Sequence, residues 1–348
     1  MIRKVIILSL ILTGLVFTVS AGQIKKKSSA LFPVKIDGKY GYINKSARIV
    51  VEPKFDMATP FSEGLASVIF NGKWGYVDQK GNFVIEPQYV FADNFKEGLA
   101  LVQKESEMFF IDKTGKAAFD FKDFKGNSHF SEGLASIFYK GEPGYIDSTG
   151  KIAIKPAYKD GSGNFSEGLA PVRLKVSETS GAVIHQWTFI DKGGKQITNA
   201  KFDNVGKFSG GLAPVSYNGL SGYIDKAGNF VIQPRFAGAW EFYEGLARVG
   251  KPTDFGLSYF GFVDKTGKLV IDFQFNHAGD FHEGLSVIKQ GDKWGYIDKT
   301  GTPVIAARFS AANDFKDGLA WVEVKKPSGQ TTFAYIDKKG RIVWESKD

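Results

Sequence analysis

The sequence predicts an all-β fold of tandem antiparallel units. Each unit has about 34 residues and three or four strands, and the units form a β-propeller-like toroid or, alternatively, an open β superhelix (solenoid). Three observations predict this. An aromatic-Ile/Val-Asp/Asn triplet occurs nine times, ending at Asn44, Asp78, Asp112, Asp147, Asp191, Asp225, Asp264, Asp298 and Asp337. Phe-x-x-Gly-Leu occurs eight times, with glycines at 64, 98, 133, 168, 211, 245, 284 and 318. The spacing from each Asp/Asn to the next of these glycines is always 20 or 21, whereas the return step is 14 five times and 23, 19 and 19 in the longer units. All long insertions therefore fall in one connection, which maps them to one face of a repeat array.

The chain opens with Met1-Ile2-Arg3-Lys4, an apolar run from Val5 to about Val19, and Ser20-Ala21-Gly22. A basic start, an apolar centre and small residues at the end match a secretory signal over residues 1–21, cleaved after Ala21. The run contains Ser9, Thr13, Gly14 and Thr18 and falls short of the ~20 apolar residues a membrane span needs, so no span is expected in the mature chain. The protein is thus expected to be exported to the periplasm, cell surface or medium. Residues 22–30, with Lys25-Lys26-Lys27, read as a basic, flexible N-terminus, and residues 31–348 as the repeat domain of about nine units. There is no Cys, so neither lipid attachment through Cys nor a disulfide framework is available. With 43% apolar residues, 31 Phe and 41 Gly the chain reads as globular and β-rich.

One unit shows the logic. Leu65-Ala66-Ser67-Val68-Ile69-Phe70 alternates as a half-buried strand. Asn71-Gly72 is a two-residue hairpin signal. Trp74-Gly75-Tyr76-Val77-Asp78 is the second strand. Asp78-Gln79-Lys80-Gly81 turns the chain, the Asp capping backbone N–H groups and Gly closing the bulge in the left-handed conformation. Phe83-Val84-Ile85 is the third strand. Pro87 is expected to end it or mark an edge. Tyr89 to Phe95 reads as a short fourth strand or a crossing.

The second strand is the most constrained. Tyr or Phe precedes Ile or Val in all nine copies, so both strand faces are covered. The Gly before that Tyr, as at 75 and 295, implies close approach of a neighbouring aromatic ring or backbone. Each buried Leu or Phe contributes roughly 1.5–3 kcal/mol, but one meander cannot cover its own faces, so the units must stack.

The repeated Lys-Trp-Gly-Tyr-Ile/Val-Asp-x-x-Gly…Phe-x-Glu-Gly-Leu-Ala, with Lys73-Trp74-Gly75 and Lys293-Trp294-Gly295 as its clearest triplets, resembles the bacterial WG (KWG) repeat family over about residues 31–346. Phe109-Phe110 and Thr188 depart from the pattern. The resemblance implies β repeats in bacterial, often exported proteins. It implies no reaction, cofactor or catalytic residue. Nine strand sets exceed the 4–8 blades typical of a propeller unless the two end sets share one blade.

The Asp column reads as turn capping rather than a row of metal ligands, because calcium loops need several oxygens at short spacing. No cofactor or metal is expected. His129, His185, His277 and His282 read as surface or crossing residues. No nucleophile elbow, phosphate loop or dinucleotide fingerprint occurs. No unit-specific convergence of titratable residues stands out, and the expectation is a non-enzyme. The formal charge is +8, or +6 once Arg3 and Lys4 leave with the signal, and six turns read Asp-Lys. Such alternating charge suits phosphate binding poorly, so no nucleic-acid partner is expected.

The insertions are the candidate binding loops: Ser177, Glu178, Thr179 and His185; Phe255, Leu257 and Tyr259; Ser328 and Gln330. The bland reading is long hairpin tips without a role. The functional reading is a rim that recognises a protein or glycan in the envelope or outside the cell, with Phe255, Leu257 and Tyr259 as apolar anchors. The alternatives are an envelope hydrolase with its site in a repeat groove, and a structural spacer.

Overall fold

The structure is a computed structural model. It describes residues 30–119, 124–125, 129–139, 141–155, 158, 162–177, 183–253 and 259–346, with backbone alone for 124–125, 175–177 and 183–185. The expected signal and most of the basic N-terminus lie outside the described residues. Among the described residues no helix is long and apolar enough to cross a membrane.

The second sheet shows the unit. A short leading strand, Met57–Ala58, pairs with Ala66–Phe70, which forms a hairpin with Lys73–Val77, which pairs with the trailing strand Phe83–Tyr89. All pairings are antiparallel. The leading strand comes from the segment expected to be a crossing. The trailing strand runs on through Pro87. Pro is tolerated there because this strand is the sheet edge and needs no ladder N–H on its open side. The register shifts between Trp74 and Tyr76, where a Cβ on Gly75 would lie 2.7 Å from the Ile85 carbonyl and 2.8 Å from the Pro87 nitrogen. The close neighbour behind the Trp-Gly-Tyr pattern is therefore backbone of the trailing strand.

Among the described residues the strands form nine antiparallel sheets in chain order, from Leu31–Ile36 in the first to Ile342–Glu345 in the ninth; six have all four strands, the first and third have three, and the fifth has two. Each successive pair encloses a buried cluster. Tyr76, Tyr89, Ala100 and Val102 lie between the second and third sheets, and Tyr296, Phe309, Phe315 and Val322 between the eighth and ninth. A further cluster joins Phe32, Val34 and Ile43 of the first sheet to Leu319 and Tyr335 of the ninth. The array therefore closes on itself. It is a β-propeller, and the open superhelix is ruled out. The two end sets do not share a blade: each forms its own sheet, and they meet face to face.

The paired Tyr and Ile/Val are buried on both faces, as Tyr76 and Val77 show. The Phe of each following crossing packs on this Tyr; the Tyr76 and Phe95 ring centroids are 4.8 Å apart. The Tyr76 hydroxyl donates to the Asp93 carbonyl at 2.7 Å. The ring contact ties each crossing to the sheet it has just left, and the hydroxyl bond adds to it in the five of these copies that carry Tyr, whereas Phe110, Phe189 and Phe262 make the ring contact alone.

Candidate functional site

Two kinds of turn lie at one end of the sheets. In the Asp turns, one carboxylate oxygen of Asp78 accepts from the Lys80 and Asn82 amides at 2.8 and 3.0 Å. Asp112, Asp298 and their equivalents repeat this. The Thr114 hydroxyl, with the amides, holds Asp112 below the usual carboxylate range. The Asp column thus caps turns. Among the described residues no group of three or more His, Asp or Glu is placed to hold a metal ion. In the Glu-Gly turns, the Glu has left-handed backbone, as at Glu63 (φ 50°) and Glu283 (φ 55°). Its carboxylate reaches the next turn along the ring.

The insertions lie at the opposite end, with the ordinary hairpin tips. Leu169–Ser177 and Val183–Asp191 pair over their full lengths, placing His185 opposite Lys175 and Ser177 opposite Val183. Glu178 and Thr179 lie outside the described residues, as do Phe255 and Leu257. Tyr259 is 44% exposed, and its carbonyl accepts from the Lys251 amide at 2.9 Å. Ser328 and Gln330 turn the hairpin between Leu319–Lys325 and Thr331–Asp337; the Lys326 amide donates to the Gln330 carbonyl at 2.8 Å. These hairpins belong to the fifth, seventh and ninth sheets. Ordinary tips at Asn218-Gly219 and Gly291-Asp292 stand between them, so they share a face without being neighbours.

The expectation that no unit breaks the repeat with converging titratable groups is corrected by the last three sheets. The residue before the crossing Phe is Pro60, Asn94, His129, Asn164 and Lys207 in the earlier copies, then Glu241, Asp280 and Asp314. The residue after it is Ser62, Ser131, Ser166 and Ser209 in four earlier copies, where each hydroxyl bonds the next crossing's Phe carbonyl. It becomes Tyr243, His282 and Lys316 in the last three. Arg248 is the one charge in a column of Pro33, Ser67, Leu101, Ser136, Pro171, Pro214, Val287 and Trp321.

Folding brings these residues together. The Arg248 guanidinium stacks 4.3 Å from the Trp240 ring centroid and 5.6 Å from that of Phe260. It donates to the Ala278 carbonyl and lies 3.9 Å from Asp280. Its side chain is only 12% exposed. The Arg248 Nε and Asp280 Oδ1 atoms are buried with no hydrogen-bond partner among the described residues. Burial pushes the Asp280 carboxyl above its usual range, against the pull of Arg248. Burial also raises Asp314, against His282 and Arg248. His282 Nε2 is 3.6 Å from Asp314 Oδ2, and its ring packs 5.1 Å from that of Tyr243. His277, whose pKa burial lowers, sits between Phe260 and Trp294. His277, Gly279, His282, Trp294 and Asp314 line an open cavity of about 720 Å³. Carboxylates perturbed by burial beside a specific charge partner in a cavity mark a candidate site. The arrangement can hold a polar ligand between carboxylates, imidazoles and an indole. The two histidines read from sequence as bland lie in it.

The profile of the WG containing repeat family matches residues 40–74, 74–106, 144–175, 187–220, 222–251, 260–294 and 294–326. No curated protein matches the sequence. Among solved structures, "Crystal structure of the eukaryotic initiation factor" superposes with a TM-score of 0.66 at 13% identity, covering 91% of this chain and 95% of that one. The dihydro-heme d1 dehydrogenase NirN gives 0.47 at 12% identity, covering 91% and 73%. Apo AztD from Citrobacter koseri gives 0.45 at 11%, covering 91% and 94%. At these identities the first likeness speaks to fold alone, and the lower two carry no argument.

Proposed function

Because this chain belongs to the WG containing repeat family, and its sheets close into a ring, we propose that it is an exported, non-enzymatic binding protein that recognises a protein or glycan through the rim bearing the long hairpins. The observation that carries this reading is the placement of all three lengthened hairpins on one face of the ring. A closed ring of sheets holds its loops on a rigid base, and loops so held are where recognition concentrates. Exposed Tyr259 is the described apolar anchor on that rim. The test replaces residues 177–184 by Asn-Gly and compares this variant with the parent. Cross-linking capture from envelope and medium fractions and binding to a glycan array are the two measurements. A partner bound by the parent and lost by the variant supports the rim. A partner bound equally by both removes that hairpin from the interface.

The second reading is an envelope hydrolase. It is favoured by one observation, the meeting of Asp280, Asp314, His282 and Arg248 beside a cavity. Carboxyls raised by burial are the form a general acid takes. Turnover of an oligosaccharide or ester panel by the parent, lost in both D280N and D314N, would favour this reading over binding.

A further inference from the structure

Six glutamates of this chain occupy one repeated cradle, and the seventh copy of that cradle lacks its glutamate. Glu63, Glu97, Glu132, Glu167, Glu244 and Glu283 each accept a hydrogen bond from the glycine amide of the next turn. The distances, to Gly98, Gly133, Gly168, Gly211, Gly284 and Gly318, run from 2.8 to 3.0 Å. Five of these carboxylates also meet the lysine of an Asp-Lys turn, as Glu63 meets Lys113 at 3.0 Å and Glu244 meets Lys299 at 3.1 Å. An ammonium and a backbone N–H thus converge on one carboxylate, which is a charge-assisted arrangement.

Gly210 stands where the glutamate would be. The next turn's amide is that of Gly245, and the lysine is Lys265. Lys265 leans into the space the missing side chain would fill: its Nζ would lie 3.0 Å from a Cβ on Gly210. Among the described residues Lys265 makes no hydrogen bond or ion pair, and the Gly245 amide has no acceptor. The neighbouring Glu244 cannot serve, because its carboxylate is directed onward to Gly284 and Lys299. The repeat has therefore kept both donors and given up their acceptor at one position.

We propose that the Gly210 turn is a binding site for a carboxylate supplied by a partner polypeptide, seated on the Gly245 N–H with Lys265 as counter-charge. The carboxylate comes from an acidic side chain or from a chain terminus. A single pair of donors fixes register and orientation within a larger contact more than it supplies affinity. The site lies at the turn end of the sheets, away from the long hairpins, so it stands or falls independently of recognition by that rim.

The test uses the glutamate that the repeat itself prescribes. Gly210 has φ +64°, in the same left-handed region as the glutamates of the other turns, which lie at φ 50–55°, so Gly210→Glu fills the cradle from within. Amide NMR of the uniformly labelled chain is followed against three capped peptides. Acetyl-Ala-Glu-Ala-amide offers only a side-chain carboxylate, and acetyl-Ala-Ala-Ala only a terminal one. Acetyl-Ala-Gln-Ala-amide is the neutral control. The expected result is a saturable shift of the Gly245 amide with a carboxylate probe and none with the control. G210E should abolish the shift, and K265M should weaken binding at least fivefold. Response to only one carboxylate probe assigns the source. No Gly245 response to either carboxylate, an equal response in G210E, or full affinity in K265M would each overturn the proposal. K265M removes an exposed side chain, so its result does not depend on how G210E folds.

Discussion

The ring of Phe32 stands edge-on to that of Tyr335, with centroids 5.4 Å apart at 60°, and this contact joins the first sheet to the ninth. At other sheet interfaces the equivalent tyrosine is covered by a crossing Phe, as Tyr296 is by Phe315 at 4.9 Å, and its hydroxyl bonds that crossing's backbone. Tyr335 instead meets Phe32, and its hydroxyl donates to the Pro33 carbonyl at 3.0 Å. The residue in the Phe32 column is small in every other copy, as at Ala66, Ala100 and Ser286. Phe32 therefore fills, from the strand itself, the place a crossing Phe fills elsewhere. Phe32→Ala should cost about 3 kcal/mol, near the low end for a buried Phe, and should make the seam the first protease-sensitive point. Urea unfolding with limited proteolysis checks this. A midpoint equal to the parent's would mean that the ring does not depend on this contact.

Two glycines in one hairpin separate steric from conformational cost. A Cβ on Gly75 meets only backbone, which cannot rotate away, so Gly75→Ala should cost at least about 2 kcal/mol. Gly72 has φ +75° and nothing within 4 Å of its Cβ position, so Gly72→Ala should cost only the left-handed penalty of about 1–2 kcal/mol. Thermal midpoints of the two variants should fall in that order. The reverse order would remove the trailing-strand backbone as the reason for the Trp-Gly-Tyr pattern.

These hairpins were legible in the sequence because each residue's task is local and repeated. Asn71-Gly72 and Asp78-x-x-Gly81 determine their turns within four residues, and nine copies average out exceptions such as Ala47. The ring was expected ahead of the open superhelix, but its closing contact was not legible. Closure depends on a small rotation between neighbours that no single residue sets, and its one marker, Phe32 in a column of small residues, acquires meaning only beside Tyr335. The Arg248 cluster was hidden for a related reason. Glu241, Asp280 and Asp314 each sit in a polar column where one acid is unremarked, and their charges meet only across three sheets. Comparing columns as well as units would have exposed Arg248 among prolines and serines. The long hairpins were legible as one face, because insertion in a fixed connection of a repeat has nowhere else to go.

The belt of Glu-Gly turns should contribute to stability in a pH-dependent way. Burial pushes Glu244 up, but the Lys299 hydrogen bond and the Gly284 amide outweigh it and hold the group below its ordinary value. The folded state therefore binds this proton less readily than the unfolded chain. The resulting stabilisation is present above the ordinary glutamate pKa of ~4.3 and is lost as pH falls through the folded value. Glu244→Ala should lower stability at pH 7 by no more than about 1 kcal/mol, since the pair is partly solvated. The difference from the parent should close at acid pH. Urea midpoints at pH 7 and pH 3 measure it; a deficit that persists undiminished at pH 3 would mean the glutamate acts by packing rather than charge.

Asp280 should behave with the opposite sign. Burial raises its pKa despite Arg248, and Asp314 and Glu241 raise it further. The folded state therefore holds this proton more tightly than the unfolded chain. No cost exists below the ordinary aspartate pKa of ~3.9. The cost grows as pH rises from there through the folded value and is fully present above it. Asp280→Asn mimics the protonated form in nearly the same volume, so at pH 7.5 it should melt above the parent, and below pH ~3.5 the two should coincide. Arg248→Ala should do the reverse at neutral pH. It leaves Asp280 and Glu241 without their cation and uncovers the Trp240 face, for a loss of about 3 kcal/mol. Calorimetric melting of the parent and both variants across this pH range tests the pair. If D280N melts lower than the parent at pH 7.5, the Arg248–Asp280 contact is a stabilising ion pair. If it melts higher, the protein keeps a carboxylate at a position where it costs stability, as expected of a residue retained for what it binds.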